Sequence, residues 1–405
     1  MKTASAAYAA QRQGSAGWHL WDLPFFEESH YELAGRLLGR AGREGEHDHA
    51  DMFGTCRRIA REFGDMGLLD YVVPRQLPDG AYAPIDVRAL TIIREFLGYH
   101  HILADSVFAM QGIGAGAIWM HGSPYLKERY LEPCRRGEKI AAFALSEPEA
   151  GSDVASMTTN ARRHGDHYVI NGTKTWITNA GFADHYVVVA RTGEAPGSRG
   201  LSAFMVDADT PGLSVGEQIE MMAPHPAATL TFEECRIPAT HLIGDAGNGF
   251  KVAMSVFDIF RTSVGGAAVG AARRALDETL GRVSQRRIYG KLMKEMEGVQ
   301  FKLADMTADI ECSALAVYRA AWTKDVRGVR GTREASMAKL VATEAAGRVV
   351  DSALQLFGGV GVTKGNVIEQ LYRDVRPMRL YEGASEVQKL IIARNLLAEA
   401  EKTHG

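Results

Sequence analysis

The spacing of apolar residues changes twice along the chain, and this change constrains the fold more than any other feature of the sequence. Apolar residues recur every three or four positions in runs such as 56–69 and 87–97, which predicts helices between about residues 21 and 137. Between about residues 141 and 244 the pattern becomes short β-branched or aromatic runs bounded by Gly, Asp and Pro, which predicts strands. Helical spacing then returns from residue 249 to residue 397.

The middle segment is interpreted as a small antiparallel β domain, closed into a barrel. Within it, 168–170 and 173–178 are predicted to form a hairpin that turns at 171–172, where the sequence reads Asn-Gly. In the last third, an apolar seam with alternating steps of four and three residues, from Phe250 to Ala268, predicts a four-helix bundle. The predicted domains are a flexible N-terminus (1–20), a helical domain (21–138), a β-barrel domain (139–245) and a helical bundle (246–405).

Length and charge exclude several classes of protein. The chain has 405 residues, and a single hydrophobic core rarely grows beyond about 250–300 residues, so several domains are expected. Its net charge of −3 gives no basic surface for nucleic acid, and no apolar run approaches the membrane-spanning length of about 18 residues. The four cysteines are far apart, so neither disulfides nor a metal site is predicted, and the cytoplasm is the simplest location.

Two charged residues have predominantly apolar neighbours in the sequence. Arg261 lies on the apolar seam, so its guanidinium either has a buried partner or extends to solvent at a helix end. Glu382 follows Leu380 and Tyr381, and it precedes a glycine and a predicted helix. Apolar walls would raise the pKa of this carboxyl and suit it to act as a base. The alternative is a first-turn glutamate that interacts with the helix dipole.

Three further segments each admit two interpretations. The loop 145–153, LSEPEAGSD, offers free N–H groups and acceptors to a polar ligand, but an ordinary solvated turn has the same composition. The run 175–179, TWITN, suits a planar heteroaromatic ring or a packed strand. The glycine-rich run 355–361 allows a phosphate to approach the backbone, but it also fits the end of a helix.

The order of these segments resembles the acyl-CoA dehydrogenase family over about residues 27–397. The resemblance is carried by LSEPEAGSD, by NGTKTWITNAG (171–181), by 250–261, by RRIYGK (286–291), by 355–361 and by YEGASEVQKLIIARNLL (381–397). It implies an α+β fold that is mainly α, with an N-terminal helical domain, a central antiparallel β-barrel and a C-terminal four-helix bundle. This order of domains agrees with the one predicted from the apolar spacing.

The resemblance also implies a reaction and its partners. Members of the family hold FAD non-covalently and dehydrogenate an acyl thioester between Cα and Cβ. A carboxylate base removes the pro-R α-proton while the β-hydrogen leaves as hydride to flavin N5. The usual electron acceptor is an electron-transfer flavoprotein, and the usual assembly is a homotetramer built as a dimer of dimers.

Site residues are carried over position by position from the resemblance. Glu382 matches the base; a few relatives place the base one residue before Arg261, but Phe260 in that position cannot accept a proton. Residues that match positions near the thioester are Ser152, Phe257, Asp258, Arg261 and Gly383. Residues that match FAD contacts are Phe143, Leu145, Ser146, Ser152, Trp176, Ile177, Thr178, Arg286, Tyr289, Gln355, Gly358, Gly359, Ala384, Ser385 and Glu386.

Three positions depart from the family pattern. Glu297 replaces a common glutamine, Ala384 replaces the usual threonine, and 222–229, MAPHPAAT, replaces the usual Met-Gly-x-Arg stretch. The last departure suggests an altered thioester carrier or acyl group, such as a carrier-protein-bound thioester in a biosynthetic pathway. The same fold could also belong to a flavin monooxygenase, which would lack the base, or to a non-catalytic relative that binds a partner or DNA. The presence of Glu382 argues against both of these functions.

Overall fold

The computed structural model of the protein describes residues 17–39, 51–223 and 225–404. These residues form two compact units. The helical unit takes in the described residues of 1–46, 86–105 and 261–405, and the sheet unit takes in those of 47–85 and 106–260. The fold is mainly helical with a central sheet, so the predicted fold class is confirmed.

Helices and strands are numbered in chain order over the described residues. The helices are α1 (Glu28–Leu38), α2 (Met52–Asp65), α3 (Val87–His100), α4 (Ile102–His121), α5 (Pro124–Arg135), α6 (Gly249–Gln285), α7 (Glu297–Arg327), α8 (Thr332–Phe357), α9 (Val367–Val375) and α10 (Ser385–His404). The strands are β1 (Ala141–Ala144), β2 (Asn160–His164), β3 (His167–Thr178), β4 (His185–Arg191), β5 (Leu201–Asp207), β6 (Leu213–Gln218), β7 (Ala227–Pro238), β8 (Leu242–Ile243), β9 (Arg287–Ile288) and β10 (Lys291–Leu292).

The central sheet has the strand order β6-β7-β3-β2-β4-β5-β8, and β1 also pairs with β4. Most pairs are antiparallel, as predicted, but β1 and the start of β2 run parallel to β4. Because β4 is buried on both faces except at its last residue, its sequence HYVVVAR is almost wholly apolar. This strand therefore supplies the centre of the sheet unit's core.

The predicted hairpin turn at Asn171–Gly172 is wrong. Residues 167–178 form one continuous strand, and the chain reverses instead between His164 and His167, which are paired. Gly172 has φ +144° and lies at a register shift between β3 and β7. An Asn-Gly pair fits a bulge as well as a turn, since glycine accommodates the unusual backbone in either structure.

In the helical unit, α8 packs against α7, α9 and α10, and α3 packs against α1 and α7. Together with α6, whose Gly265 faces Val317 of α7, the long helices α7, α8 and α10 form the predicted bundle. Helices α3 and α6 approach closely. A Cβ added to Gly270 would lie 2.0 Å from the carbonyl oxygen of Glu95. Glycine at this crossing therefore brings the polar face of α3 against α6.

The predicted flexible N-terminus does not extend as far as residue 20. Residues 1–16 lie outside the described residues, but Trp18 and Leu20 are fully buried. The indole Nε1 of Trp18 donates a hydrogen bond to Oε1 of the buried Glu95, 3.1 Å away. An aromatic side chain buried in this way fixes the segment that carries it.

Two helices, α4 and α6, are long and apolar enough to cross a membrane by length and composition alone. Neither helix contains an unbroken apolar run of about 18 residues, so neither was identified from the sequence as a candidate membrane span. In the structure, 78% and 83% of their most apolar windows is buried inside the protein, which is typical of core helices.

Candidate active site

Glu382 lies in the helical unit, in the short turn that leads into α10. It has φ +52° and is followed by Gly383 with φ +94°, so two successive residues adopt left-handed backbone conformations. Such a conformation is costly for a glutamate and persists only where surrounding contacts hold it. The structure supplies those contacts from three helices.

Three side chains donate hydrogen bonds to the carbonyl groups of this turn. Nε2 of Gln388 lies 2.8 Å from the carbonyl oxygen of Gly383 and 3.3 Å from that of Glu382. Nζ of the fully buried Lys339 donates to the Gly383 carbonyl at 2.9 Å, and Nε of Arg261 donates to the Glu382 carbonyl at 3.4 Å. Arg261 is therefore buried with a backbone partner rather than extended to solvent.

The Glu382 side chain points into the protein, and only 10% of it is exposed. Its Oε1 lies 4.0 Å from Nη1 of Arg94, while its Oε2 is buried and has no hydrogen-bond partner among the described residues. Arg94 is clamped by Asp105, with Nε and Nη2 each 2.8 Å from one carboxylate oxygen. Nη1 of Arg94 also donates to Oγ of Ser263 at 3.1 Å.

Burial raises the pKa of Glu382, because the charged carboxylate loses its hydration. The positive charges of Arg94, Lys339 and Arg261 oppose this rise, and the negative charge of Asp105 adds to it. The same burial lowers the pKa of the Lys339 ammonium to about 8. A carboxyl with a raised pKa and an unused oxygen is equipped to accept a proton.

In the sheet unit, the predicted flavin contacts lie where the loop 145–153 meets β3. The amide of Thr175 donates to the carbonyl of Ser146 at 2.9 Å, which places Ser146 beside the strand that carries Trp176. The Trp176 indole is 59% exposed, and its backbone has φ +61°. Neither Ser146 nor Thr178 uses its hydroxyl within the described part of the chain, and both are half-buried. An exposed aromatic face beside free hydroxyl groups fits a flavin ring.

The loop itself is anchored by a buried ion pair. Nζ of Lys174 lies 2.8 Å from Oε1 of Glu147 and donates to the carbonyl of Leu145 at 2.9 Å. Glu147 also accepts the amide protons of Thr158 and Thr159 at 2.7 and 2.9 Å. The start of the loop is thus held to β3 by one fully buried lysine.

The remaining predicted contacts of the sheet unit differ in exposure. Phe143 and Phe257 form an edge-to-face aromatic pair with ring centroids 5.7 Å apart. Ile177 and Asp258 are buried, Leu145 is nearly so, and Ser152 is exposed. Phe260 is fully buried and lies where a Cβ on Gly112 would meet its ring at 2.4 Å. It therefore packs in the core of this unit, as expected for a residue that cannot act as the base.

A third group of predicted residues lies on the exposed surface of the helical unit. Tyr289 is 95% exposed with φ +49°, in the turn between β9 and β10, and Arg286 is also exposed. Gln355, Gly358 and Gly359 are exposed at the end of α8, where a Cβ on either glycine would meet nothing within 4 Å. Arg282, one helical turn before Arg286, donates to the carbonyl of Phe357 at 3.0 Å. The two segments are therefore tied together.

The three residues after Gly383 do not behave alike. The Ser385 hydroxyl is buried and donates to Oε1 of Glu344 at 2.6 Å, so within this chain it holds α10 to α8. Glu386 is exposed, and Ala384 accepts the amide proton of Gln388 at 3.0 Å. Of these three, Glu386 is the one whose side-chain polar atoms are open to a ligand.

Besides Ala384, the other two departures from the family pattern can be located. Glu297 is exposed at the first position of α7. In the stretch 222–229, Ala223 is buried and the carbonyl of Pro226 accepts the amide proton of Asn179 at 3.0 Å, whereas Pro224 lies outside the described residues. This stretch is therefore tied to the end of β3, two residues after Ile177.

Sequence reasoning missed Arg94, Asp105, Lys339, Gln388 and the Glu147–Lys174 pair as groups that support the site. A signal for Arg94 was present, because it is a charged residue within the apolar helical run 87–97, as Arg261 is within its own seam. Lys339 carries a similar signal, because the other residues of 337–342, MAKLVA, are apolar, whereas Gln388 lies beside the charged Lys389 and carries none. Glu147 and Lys174 lie within the family segments but were interpreted there only as part of a loop and a strand.

Models of three domains match the chain in sequence. The acyl-CoA dehydrogenase N-terminal domain matches residues 40–138, the middle domain matches 142–235, and the C-terminal domain matches 247–397. The fold and these matches define an oxidoreductase that acts on a CH–CH group. The chain belongs to the acyl-CoA dehydrogenase family.

Individual relatives share most of their length with this chain. It is 40% identical over 381 residues to the 3-(aryl)acrylate reductase of Clostridium sporogenes, covering 92% of this chain and 100% of that protein. It is 38% identical over 340 residues to the human mitochondrial short-chain specific acyl-CoA dehydrogenase, covering 83% and 82%. A solved acyl-CoA dehydrogenase of Geobacillus kaustophilus superposes with a TM-score of 0.81 at 32% identity, covering 92% and 99%.

Proposed function

We propose that the protein dehydrogenates an acyl thioester between Cα and Cβ, with Glu382 as the base. The observation that carries this proposal is the Oε2 atom of Glu382, which is buried and has no hydrogen-bond partner among the described residues. A buried carboxylate oxygen without a partner costs free energy until a ligand or a water molecule satisfies it. The α-proton of a bound thioester is a group that would use it.

Each step assigned to this chain follows from its own groups. The α C–H bond of the thioester breaks, and the proton forms an O–H bond to Oε2 of Glu382. The raised pKa of this carboxyl narrows the difference in pKa between the carboxyl and the weakly acidic α-carbon. Exclusion of water preserves the basicity of the carboxylate. We assign to the backbone N–H of Glu382, in a turn held by Lys339 and Gln388, the role of stabilising the developing enolate oxygen.

FAD is the cofactor that the family implies, and when bound it accepts the β-hydrogen as hydride. Trp176, Ser146 and Thr178 would hold the flavin ring, given their exposed indole and free hydroxyl groups. The exposed residues Arg286, Tyr289 and Gln355 would contact the FAD of a neighbouring copy. An electron-transfer flavoprotein would take the electrons from the reduced cofactor.

Self-association is supported by the surface of the helical unit. Large apolar side chains are exposed along α7 and α10: Phe301 (66%), Leu315 (46%), Leu390 (53%), Leu396 (58%) and Leu397 (62%). Several large apolar side chains exposed on the same two helices favour an interface with another copy of the chain. We expect a homotetramer, and mass photometry of the purified protein measures it directly.

The deciding experiment is anaerobic mixing of the yellow holoprotein with a panel of acyl thioesters while flavin absorbance is followed. The panel contains straight-chain, branched, cyclic and aryl acyl groups, each on CoA and on a phosphopantetheine carrier protein. Wild-type flavin should bleach with at least one thioester, and Glu382→Gln should bind FAD but fail to bleach. Unchanged bleaching in Glu382→Gln would mean that the base is another residue.

A matched control is Glu369→Gln. Glu369 is also a partly buried glutamate of the helical unit, but its two oxygens are held by Arg373 at 2.6 and 3.3 Å. This variant should bleach at the wild-type rate.

Two other outcomes would favour the alternative functions. Fast reaction of the reduced enzyme with oxygen would favour a monooxygenase, and preference for carrier-protein thioesters would identify the alternative carrier.

A further inference from the structure

We propose that Arg94, clamped by Asp105, is a positioning residue for the base: it faces Oε1 of Glu382 and leaves Oε2 to accept the substrate proton. The inference rests on the proposed role of Glu382 and assigns different tasks to its two carboxylate oxygens. It also gives a functional task to the buried ion pair of Arg94 and Asp105.

The geometry limits what the Arg94 guanidinium can do. Asp105 occupies Nε and Nη2 with two bonds of 2.8 Å, a bidentate pairing that fixes the plane of the guanidinium. The third nitrogen, Nη1, is directed to Oγ of Ser263 at 3.1 Å and to Oε1 of Glu382 at 4.0 Å. The side chains of Arg94 and Asp105 are 2% and 3% exposed, so Arg94 cannot turn toward water.

The 4.0 Å separation decides the kind of interaction. It exceeds hydrogen-bond distance, so Arg94 acts on Glu382 through its charge without occupying a lone pair. A direct hydrogen-bonded pair would remove basicity that the reaction needs, whereas a nearby unbonded charge keeps part of the carboxyl population ionised. Because Oε1 faces this cation and Oε2 faces no donor among the described residues, Oε2 is the oxygen left for the proton.

Charged groups from four helices face Glu382. Arg94 of α3, Arg261 of α6 and Lys339 of α8 are positive, and Asp105 of α4 is negative. Arg94 and Asp105 are hydrogen-bonded to each other but shift the pKa of Glu382 in opposite directions: Arg94 lowers it and Asp105 raises it. Neutralising each of them in turn therefore separates an electrostatic role from a structural one. Structural damage would shift the pKa of Glu382 in the same direction in both variants, whereas the loss of opposite charges shifts it in opposite directions.

The test compares Arg94→Gln with Asp105→Asn in the holoprotein. The anaerobic rate of flavin bleaching is measured against pH with a thioester that bleaches the wild-type flavin. The pH at which this rate is half-maximal, called the midpoint, reports the titration of the base. An infrared difference spectrum between each variant and its Glu382→Gln counterpart follows the same carboxyl without substrate. We expect Arg94→Gln to raise the midpoint by about one pH unit, and Asp105→Asn to lower it by a fraction of a unit, since charges within about 4–6 Å shift carboxyl pKa values by this order.

Arg88→Gln is the matched control. Arg88 lies on the same helix and is 8% exposed in its side chain, but its guanidinium pairs with Asp325 and Glu27. Its loss should reduce stability and leave the midpoint unchanged. Where Arg94→Gln folds poorly, Arg94→Lys restores the charge and should return the midpoint toward the wild-type value, and the double variant Arg94→Gln/Asp105→Asn should retain a smaller upward shift.

The result that would overturn the inference is a midpoint that is unchanged in both variants, or that moves in the same direction in both. An Arg94→Gln effect confined to KM would also overturn it, since that pattern describes a substrate contact. These results are distinguishable from failure of the proposed function, because only the latter leaves Glu382→Gln able to bleach the flavin.

Discussion

Glu147 in the sheet unit and Glu382 in the helical unit are both buried beside a cation, yet their acidities move in opposite directions. Their side chains are 4% and 10% exposed, so burial alone does not separate them. The pKa of Glu147 falls to about 2, because hydrogen bonds from Lys174, Thr158 and Thr159 outweigh its burial. The pKa of Glu382 rises, because burial outweighs the charges around it.

The difference lies in the donors that reach each carboxylate. Both oxygens of Glu147 accept hydrogen bonds, at distances from 2.7 to 3.0 Å. At Glu382, one oxygen lies 4.0 Å from a cation and the other has no partner among the described residues. Burial therefore gives a structural anchor where donors are supplied and a candidate base where they are withheld.

The largest effect expected from this comparison is on the chemical step. Replacing Glu382 with Gln removes the proton acceptor and should slow thioester-dependent flavin bleaching by about 10⁴-fold, or about 5.5 kcal/mol of barrier. Because Oε2 has no partner to lose among the described residues, the free energy of unfolding should change by less than about 1 kcal/mol. Stopped-flow absorbance and urea denaturation measure the two quantities, and a large loss of stability would contradict the contrast with Glu147.

The converse change is Glu147→Ala. It leaves the ammonium of Lys174 buried without its partner and should lower the free energy of unfolding by about 4 kcal/mol. At saturating FAD, the bleaching rate of the molecules that remain folded should fall far less than in Glu382→Gln. Urea denaturation and cofactor titration check both results, and a loss of stability below about 1 kcal/mol would show that the pair is not an anchor.

Acid should reveal the same anchor in the wild-type protein. The pKa of Glu147 is about 2 in the folded state against an ordinary value of 4.5, so its stabilisation is complete above pH 4.5 and is lost as the pH falls toward 2. The difference in unfolding free energy between wild type and Glu147→Gln should therefore shrink across this window. A difference that stays constant from about pH 5 to about pH 2 would show that the native carboxyl is not selectively ionised.

The same contrast shows what the sequence could and could not predict. The alternation of helical and strand spacing predicted the order of elements, and apolar neighbours gave burial as one of two interpretations for Arg261 and for Glu382. The family segments located Glu382, but the residues that tune it come from 94, 105 and 339, far away in the chain. A charge within an apolar run indicates a buried group, but nothing in the local sequence indicates which carboxyl it faces.

The failure at Asn171–Gly172 has a similar cause. The dipeptide permits a turn, but whether the chain turns depends on the strand that pairs beside it, and β7 pairs with β3 on both sides of Gly172. The N-terminal segment was misjudged because Trp18 finds its partner, Glu95, 77 residues away. Local composition predicted permissive backbone in both places, and long-range pairing decided the outcome.

Removing one hydrogen-bond donor from Glu147 should raise its pKa part of the way toward that of Glu382. Thr158→Val removes the hydroxyl that lies 3.0 Å from Oε2 of Glu147 but keeps the amide donor. A hydrogen bond to a charged group contributes about 1.5 kcal/mol, so the free energy of unfolding should fall by about that amount. The acid midpoint of unfolding should rise as well. Thr307→Val, whose hydroxyl donates to the carbonyl of Leu303 on the exposed face of α7, serves as the control and should change neither quantity by more than about 0.5 kcal/mol.

The smallest expected effect tests the weaker cation beside Glu382. Lys339→Met removes a positive charge that lowers the pKa of Glu382 less than Arg94 does, so the midpoint of the bleaching rate should rise by about half a pH unit, or about 0.7 kcal/mol. The variant also removes the donor to the Gly383 carbonyl, but Gln388 still donates to the same oxygen at 2.8 Å and should keep the turn in place. A downward shift, or one larger than that of Arg94→Gln, would mean that Lys339 acts mainly by holding the turn.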